Sequence, residues 1–416
     1  MRETSNFEPR TSNRSWRRTL WIVWFAELTS IIGFTVVIPI LPLYVRELGV
    51  TDPDAATFWS GVVFSAHAVA MAVMAPIWGT LADRYGRKLM VERAMFAGAV
   101  LIGMMGFARS VQQLALLRAL QGMLTGTVTA ATTLVASTAP RERSGYALGI
   151  LQMGIYTGAA VGPVVGGVIT DTVGFRAAFL TTAGLLFTGG TLVALFVREE
   201  FHPVAGSSRR GWGALRESLG PVLRRRPLLG AFGVRLMMRM AGRLLGPILP
   251  YFVEQLAPLA PTATLTGVVR MANAAGGAVG ALTLGRLADR IGRRRVLLAC
   301  ALALVGLYTL QFLVRDVVQL AALQAVTGLA MGGVLAALSA TLASLAPEGH
   351  HGAVYGLDAT VVSGANAVAP MIGTAISVAF GYRATFLGAA FLFSIALAVA
   401  SALLPGEGRE ARRRRD

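Results

Sequence analysis

Uninterrupted apolar runs of about 20 residues recur from one end of this chain to the other, each long enough to cross a hydrocarbon core of ~30 Å. No other feature constrains the fold so strongly. A backbone inside lipid must satisfy its own hydrogen bonds, and runs of this length do so as helices. The runs lie near 20–44, 58–79, 89–108, 112–138, 146–169 and 175–197, then 228–253, 264–285, 295–314, 318–344, 353–376 and 383–404. Of 416 residues 55% are hydrophobic and only 14% charged, where a soluble chain carries about 25% charged. The expected fold is an all-α membrane protein with twelve transmembrane helices in two six-helix bundles. The first nineteen residues are polar and basic and the run after them is full transmembrane length, so no cleaved signal peptide is expected.

Charge sets the expected orientation. With a cytoplasmic N-terminus, and with Arg93, Arg176, Arg295 and Arg383 near the run ends counted with the adjoining loops, 28 of the 38 Lys+Arg fall on the cytoplasmic side, 5 on the other and 5 within the runs. That bias predicts both termini inside and a multi-pass protein of the cell inner (plasma) membrane. It also accounts for the net charge of +17 without nucleic acid as a partner. The single cysteine, Cys300, excludes an internal disulfide framework, and no metal or other cofactor is expected. Neither a nucleophile–base pair nor a GxxxxGK[ST] loop is evident, so neither an enzyme nor direct ATP drive is expected.

The chain repeats itself. "GTLADRYGRK" at 79–88 returns as "GRLADRIGRR" at 285–294, "PILPLYVREL" at 39–48 as "PILPYFVEQL" at 247–256, and "GFRAAFL" at 174–180 as "GYRATFL" at 381–387. The offsets of about 207 carry the first six runs onto the second six almost without gaps. Two such bundles in the same orientation place a substrate site between them. The expected organisation is a basic cytoplasmic N-terminus (1–19), a first bundle (20–197), a cytoplasmic linker (198–227), a second bundle (228–404) and a basic tail (405–416). In the linker Trp212, Leu215, Leu219 and Leu223 recur at helical spacing, predicting a short helix on the membrane surface. A plain linker is the alternative.

In the decamer, Gly79 is expected to let its helix end approach a neighbour, and Gly86 to allow the tight return. Asp83 stands among Arg84, Arg87 and Lys88, where topology alone would ask only for basic groups. Gly154, Gly158, Gly162 and Gly166 recur every four residues, with Gly167 alongside, predicting close packing of another helix. Pro163 permits a bend. The matching positions in the second half are Val361, Ala365, Ala369 and Gly373, so most of the glycine face is lost there.

With "LLRALQG" at 116–122, "GIYTGAAVGPVVGG" at 154–167 and "IPILPLYVRELGV" at 38–50, the chain resembles the major facilitator superfamily along its whole length. Within that family it is similar to twelve-span drug:proton antiporters of the bacterial multidrug-resistance type. The resemblance implies secondary active transport, with alternating access and exchange of an amphipathic small molecule against protons, by a protein expected to act as a monomer. It implies that Asp83 latches a cytoplasmic gate, repeated by Asp289 with Arg286, Arg290, Gly292 and Arg293. It associates Arg118 with proton transfer, and the span-five glycines with antiport.

Ionisable groups inside spans are costly and mark function. Glu27 is the only acid in the first span, and Asp358 the only one well inside the eleventh. A carboxyl in low dielectric can carry a proton near neutral pH, so Glu27, Arg118 and Asp358 are the proton-coupling candidates. For Asp358 a cap or ion pair is the alternative. Arg235, Arg239 and Arg243 form one stripe, and with Arg118 and Arg270 they set five arginines against two acids. His67, the three stripe arginines, Arg270 and Asn273 (the repeat counterpart of His67) are the cavity candidates. So basic a cavity suits an anionic metabolite or lipid-like amphiphile, the second function reading; a non-transporting sensor or scaffold is the third.

Overall fold

The computed structural model describes residues 15–140, 143–197, 199, 220, 222, 225–347 and 350–404, with the side chains of Ser15, Asp83, Ser137, His351 and Gly352 outside the description. The first half holds α1 (Ser15–Glu47), α2 (Pro53–Tyr85), α3 (Arg87–Met105), α4 (Val111–Leu124), α5 (Thr127–Thr138), α6 (Ser144–Val173) and α7 (Phe175–Phe196). The second holds α8 (Arg226–Leu244), α9 (Leu249–Leu256), α10 (Thr262–Ile291), α11 (Arg293–Phe312), α12 (Val317–Leu345), α13 (His351–Phe380) and α14 (Ala384–Leu403). Eight of the described helices are long and apolar enough to cross a membrane: α1, α2, α6, α7, α11, α12, α13 and α14.

Several helices end differently from the expectation. The first begins at Ser15 rather than residue 20, and the eighth at Arg226, inside the expected linker. The run at 112–138 is two helices, because Gly126 at φ 132° leaves the helical region and ends the hydrogen-bond ladder. The run at 228–253 is likewise divided between Leu244 and Leu249. The expected linker helix with Trp212, Leu215, Leu219 and Leu223, most of the N-terminus and the tail lie outside the described residues.

Within each half the helices cross in the same places. Gly122 meets the backbone of His67 as Gly328 meets that of Asn273, and Gly166 meets Val36 as Gly373 meets Leu244. Side chains larger than hydrogen have no room there, so the repeated glycines and the repeated architecture are one fact. Buried aliphatic and aromatic residues form one core within the second half, one within the first, and one in the first that also takes in Tyr251 and Ala263 of the second.

The halves are joined by α6 against α10 and α2 against α13. The joining contacts cluster at one end. Gly167 abuts Ala263, Gly267 abuts the Pro163 carbonyl, and Gly61 abuts Thr374. At the opposite end Gly79, Gly145 and Gly149 of the first half, and Gly356 of the second, have open space where a Cβ would stand. Tyr146, Met153 and Tyr355 are exposed there. The halves therefore part at the end that carries both decamers.

Candidate functional site

The closed end is held by polar contacts as well as glycines. Arg46 pairs with Glu254 at 2.5 Å and lies over the Tyr251 ring, 4.5 Å from its centre. The Tyr251 hydroxyl donates to the Pro42 carbonyl at 2.6 Å and meets Ser60 Oγ at 2.9 Å. Tyr382 stacks on Tyr251 and reaches Thr57 Oγ1 at 3.3 Å. Asp171 accepts both the backbone N–H and the hydroxyl of Thr264, each at 2.7 Å. None of these residues stands out from composition or charge rules. One signal was available: Arg46 and Glu254 occupy the same position of the repeated "PILP" segment with opposite charges. Two positions related by an approximate two-fold axis can meet across it, and opposite charges there can pair.

At the open end, Gly86 and Gly292 sit at φ 97° and 106°, and each makes the hairpin between two helices as expected. Gly79 makes no close approach, contrary to expectation, because the halves stand apart at this end. The Asp83 side chain lies outside the described residues. Its basic neighbours meet another acid: Glu199 accepts the backbone N–H groups of Arg87 and Lys88 at 3.1 and 2.8 Å. A carboxylate there caps the start of α3 and offsets its positive helix end. Lys88 Nζ donates to the Ala194 carbonyl as Arg294, its counterpart, donates to that of Ser401. Arg293 donates to the Ala340 carbonyl. Asp289 and Arg290 stand at the end of α10, where their neighbours Gly292 and Arg293 turn into α11.

The glycine face of α6 packs along α1. Gly154 lies on the Trp24 ring, Gly158 on Ile31, Gly162 on Thr35, and Gly166 on the Val36 backbone. Pro163 lies inside the helix, its carbonyl against Gly267. Close packing was expected at these positions and is found; α1 is the partner.

Between the two ends stand the ionisable residues. Glu27 is fully buried on α1. Its Oε1 accepts from Thr127 Oγ1 at 3.0 Å, while Oε2 is buried without a hydrogen-bond partner among the described residues. Arg118 is buried on α4 and donates to Gln121 Oε1 at 2.6 Å and the Val63 carbonyl at 3.4 Å. The two first-half candidates thus sit on opposite sides of the break at Gly126, each bonded to different groups. His67, on α2, has its Nδ1 buried without a partner among the described residues.

In the second half the stripe divides. Arg235 forms a two-point pair with Asp358, its Nη2 and Nε each 3.0 Å from a carboxylate oxygen. Sequence reasoning left Asp358 open between proton carrier and ion-pair partner, and the structure puts it in the pair. Arg243 donates to Asn366 Oδ1 at 3.1 Å. Arg239 Nε is buried without a partner among the described residues. Arg270 donates to the Gly246 carbonyl at 2.7 Å, one of the groups freed where the helix divides. Asn273, expected in the cavity, is turned inward to Gln324, which continues to Gln311 and Thr327. Its Nδ2 donates to both the side-chain oxygen and the backbone carbonyl of Gln324, acceptors that α12 supplies.

A model for the Major Facilitator Superfamily matches residues 23–256 and 231–416, so the two matches follow the two halves. The chain is 36% identical over 374 residues to "Multidrug resistance protein MdtG" of Enterobacter lignolyticus (strain SCF1), covering 90% of this chain and 89% of that one. It is 35% identical over 373 residues to the MdtG of Salmonella paratyphi A (strain ATCC 9150 / SARB42), covering 89% and 92%. Its fold is similar to that of a bacterial homologue of the human lysosomal transporter Spinster, with a TM-score of 0.78 at 16% identity, covering 94% and 97%.

Proposed function

This chain belongs to the major facilitator superfamily of membrane transporters, and on that premise we propose that it exports amphipathic small molecules in exchange for protons. The observation that carries the reading is Glu27, a fully buried carboxyl with one oxygen free of partners among the described residues, in a molecule whose halves part at one end. A group in that setting can take a proton from one side and release it to the other once access alternates. Similarity to the MdtG multidrug resistance proteins supports drugs as cargo.

In this reading the described helices α1 to α14 make twelve crossings, α4 with α5 and α8 with α9 each counting as one, and both termini are cytoplasmic. The decamer end is then the cytoplasmic end, and the molecule stands open to the cytoplasm, ready to take up cargo. Asp83 and Asp289 act when that end closes; Arg118 takes part in proton transfer, as its place in the fourth-span segment "LLRALQG" implies. The glycine face of α6 lets α1 and α6 move as a unit during the exchange. One chain contains both halves of the pathway, so a monomer suffices.

Transport by proteoliposomes under imposed pH gradients tests the proposal. Uphill transport driven by the gradient should be lost in Glu27→Gln while binding of cargo survives. Uphill transport that persists in Glu27→Gln overturns the role of Glu27.

A second reading has a specific support of its own. Asp358 is taken by Arg235, which leaves Arg239, Arg243 and Arg270 without a carboxylate partner among the described residues. Residual positive charge in a cavity favours an anionic metabolite or lipid-like amphiphile as cargo, with or without proton coupling.

A further inference from the structure

The fourth rod is broken in the first half and continuous in the second. Thr127 opens α5 directly after Gly126, whereas Gly333, its counterpart, lies inside the unbroken α12. A break in an apolar helix forfeits backbone hydrogen bonds, so it needs compensation. Part is visible: Trp78 Nε1 donates to the Met123 carbonyl at 2.6 Å. The same break puts the start of α5 against Glu27. Only the half that has the buried acid has the break.

We propose that Thr127 is a positioning residue for the proton step: the break at Gly126 brings its hydroxyl, and the positive end of α5, to Glu27, and so sets the pH range in which Glu27 loads and releases its proton. The proposal rests on the reading of Glu27 as the coupling acid. Ser30 Oγ donates to Thr127 Oγ1 at 3.5 Å, and Thr127 Oγ1 donates to Glu27 Oε1 at 3.0 Å. With Ser30 on its acceptor side, the Thr127 hydroxyl points its hydrogen at the carboxyl. That arrangement favours the carboxylate, as does a helix start, whose unpaired N–H groups carry partial positive charge. Oε2, buried and free of partners among the described residues, is the oxygen left to carry the proton. When the O–H bond there breaks, the proton passes to water and its electron pair stays on a carboxylate already hydrogen-bonded at Oε1.

Beyond α5, helix α1 packs against α2, α6, α7, α9 and α10. Of their ionisable groups, Asp171, Tyr251 and Glu254 serve the closed end, and Arg176 lies over the Phe107 ring. Arg270 bonds the Gly246 carbonyl, and the decamer residues Arg84, Asp83, Asp289 and Arg290 belong to the open end. His67 is partly buried on α2 without a hydrogen bond at Nδ1, and Tyr156 is exposed on α6, within electrostatic reach of Arg239. Thr127 is the group with a bond to Glu27.

The test follows the infrared carboxyl C=O band of the purified full-length protein as pH is varied, taking the band lost in Glu27→Gln as that of Glu27. In Thr127→Val, which keeps shape and removes the hydroxyl, the midpoint should move to higher pH by about one unit. Thr127→Ser should restore it. The pH midpoint of transport in proteoliposomes should shift in parallel. An unchanged midpoint in Thr127→Val overturns the positioning role alone. Gradient-driven transport that survives Glu27→Gln overturns the reading beneath it, and the role of Thr127 with it.

Discussion

The two halves descend from one plan, yet they treat buried charge in opposite ways. Position 27 of the first half corresponds to 235 of the second: a glutamate without an ion pair among the described residues against an arginine in a two-point pair. Position 118 corresponds to 324: a buried arginine bonded to Gln121 and a carbonyl against a glutamine embedded in an amide chain. Position 46 corresponds to 254, and there the opposite charges meet each other across the halves. Among the described residues, the first half keeps an acid with an unsatisfied oxygen and no ion pair, whereas the second pairs its acid with Arg235 and leaves unpartnered donors on arginines, Arg239 Nε and Arg270 Nε among them. Duplication thus supplied the scaffold twice, and the chemistry was divided between the copies.

The sharpest way to break this comparison is through the Arg235–Asp358 pair. Asp358→Ala should leave a buried arginine unpaired and destabilise the protein by about 3–5 kcal/mol, read as a lower thermal midpoint. Replacing both residues by Met and Leu should recover most of that loss. If the single and double variants melt alike, the pair is not what satisfies Arg235.

The glycine faces offer the next contrast. Gly162→Val should press on Thr35 and the backbone of α1, costing about 1–3 kcal/mol. Ala369→Gly, at the matching site, should be nearly silent in the same melting assay. Equal effects would mean that α6 and α13 are packed alike after all.

A smaller effect is expected from charge in the cavity. Arg239→Gln should weaken an anionic amphiphile about tenfold, or ~1.4 kcal/mol, and a matched neutral one much less. Binding of the pair to both proteins decides it: an equal loss for the two ligands removes Arg239 from cargo selection.

Smallest is the ion pair at the closed end, whose side chains are about one-third exposed (34% and 36%) and therefore screened. Arg46→Glu or Glu254→Arg should shift the balance toward opening of that end by up to ~1 kcal/mol. The double exchange, Arg46→Glu with Glu254→Arg, should restore it. Accessibility of a cysteine placed behind the pair reports the opening, and failure of the double exchange to restore protection would argue against a paired lock.

Much of the architecture was legible without coordinates because it rests on local rules. Apolar length marked the helices, repeated segments marked the duplication, and Gly86 and Gly292 marked hairpins that need positive φ. The glycine face of α6 was legible for the same reason, since four-residue spacing is a property of one helix. The break at Gly126 was not, because a lone "TGT" inside an apolar run reads as continuous helix. Nor was Glu199, which caps α3 from 112 residues away and has no spacing rule to reveal it.

What the sequence by itself determined is therefore the inventory: helices, repeat, family resemblance, and a short list of charges that lipid would not tolerate. Which charge meets which partner was decided by the tertiary structure alone. Arg235 could have turned to Glu27 or to Asp358 on composition, and packing of α8 beside α13 chose Asp358. Asn273 could have faced the cavity or α12, and the Gln324 amide drew it inward. The end at which the halves close was likewise invisible, because glycines occur at both ends and only packing puts Gly167 on Ala263 while leaving Gly79 open. Hydropathy and period act within a helix, whereas a hydrogen bond or an ion pair needs two groups from distant segments brought within about 3 Å.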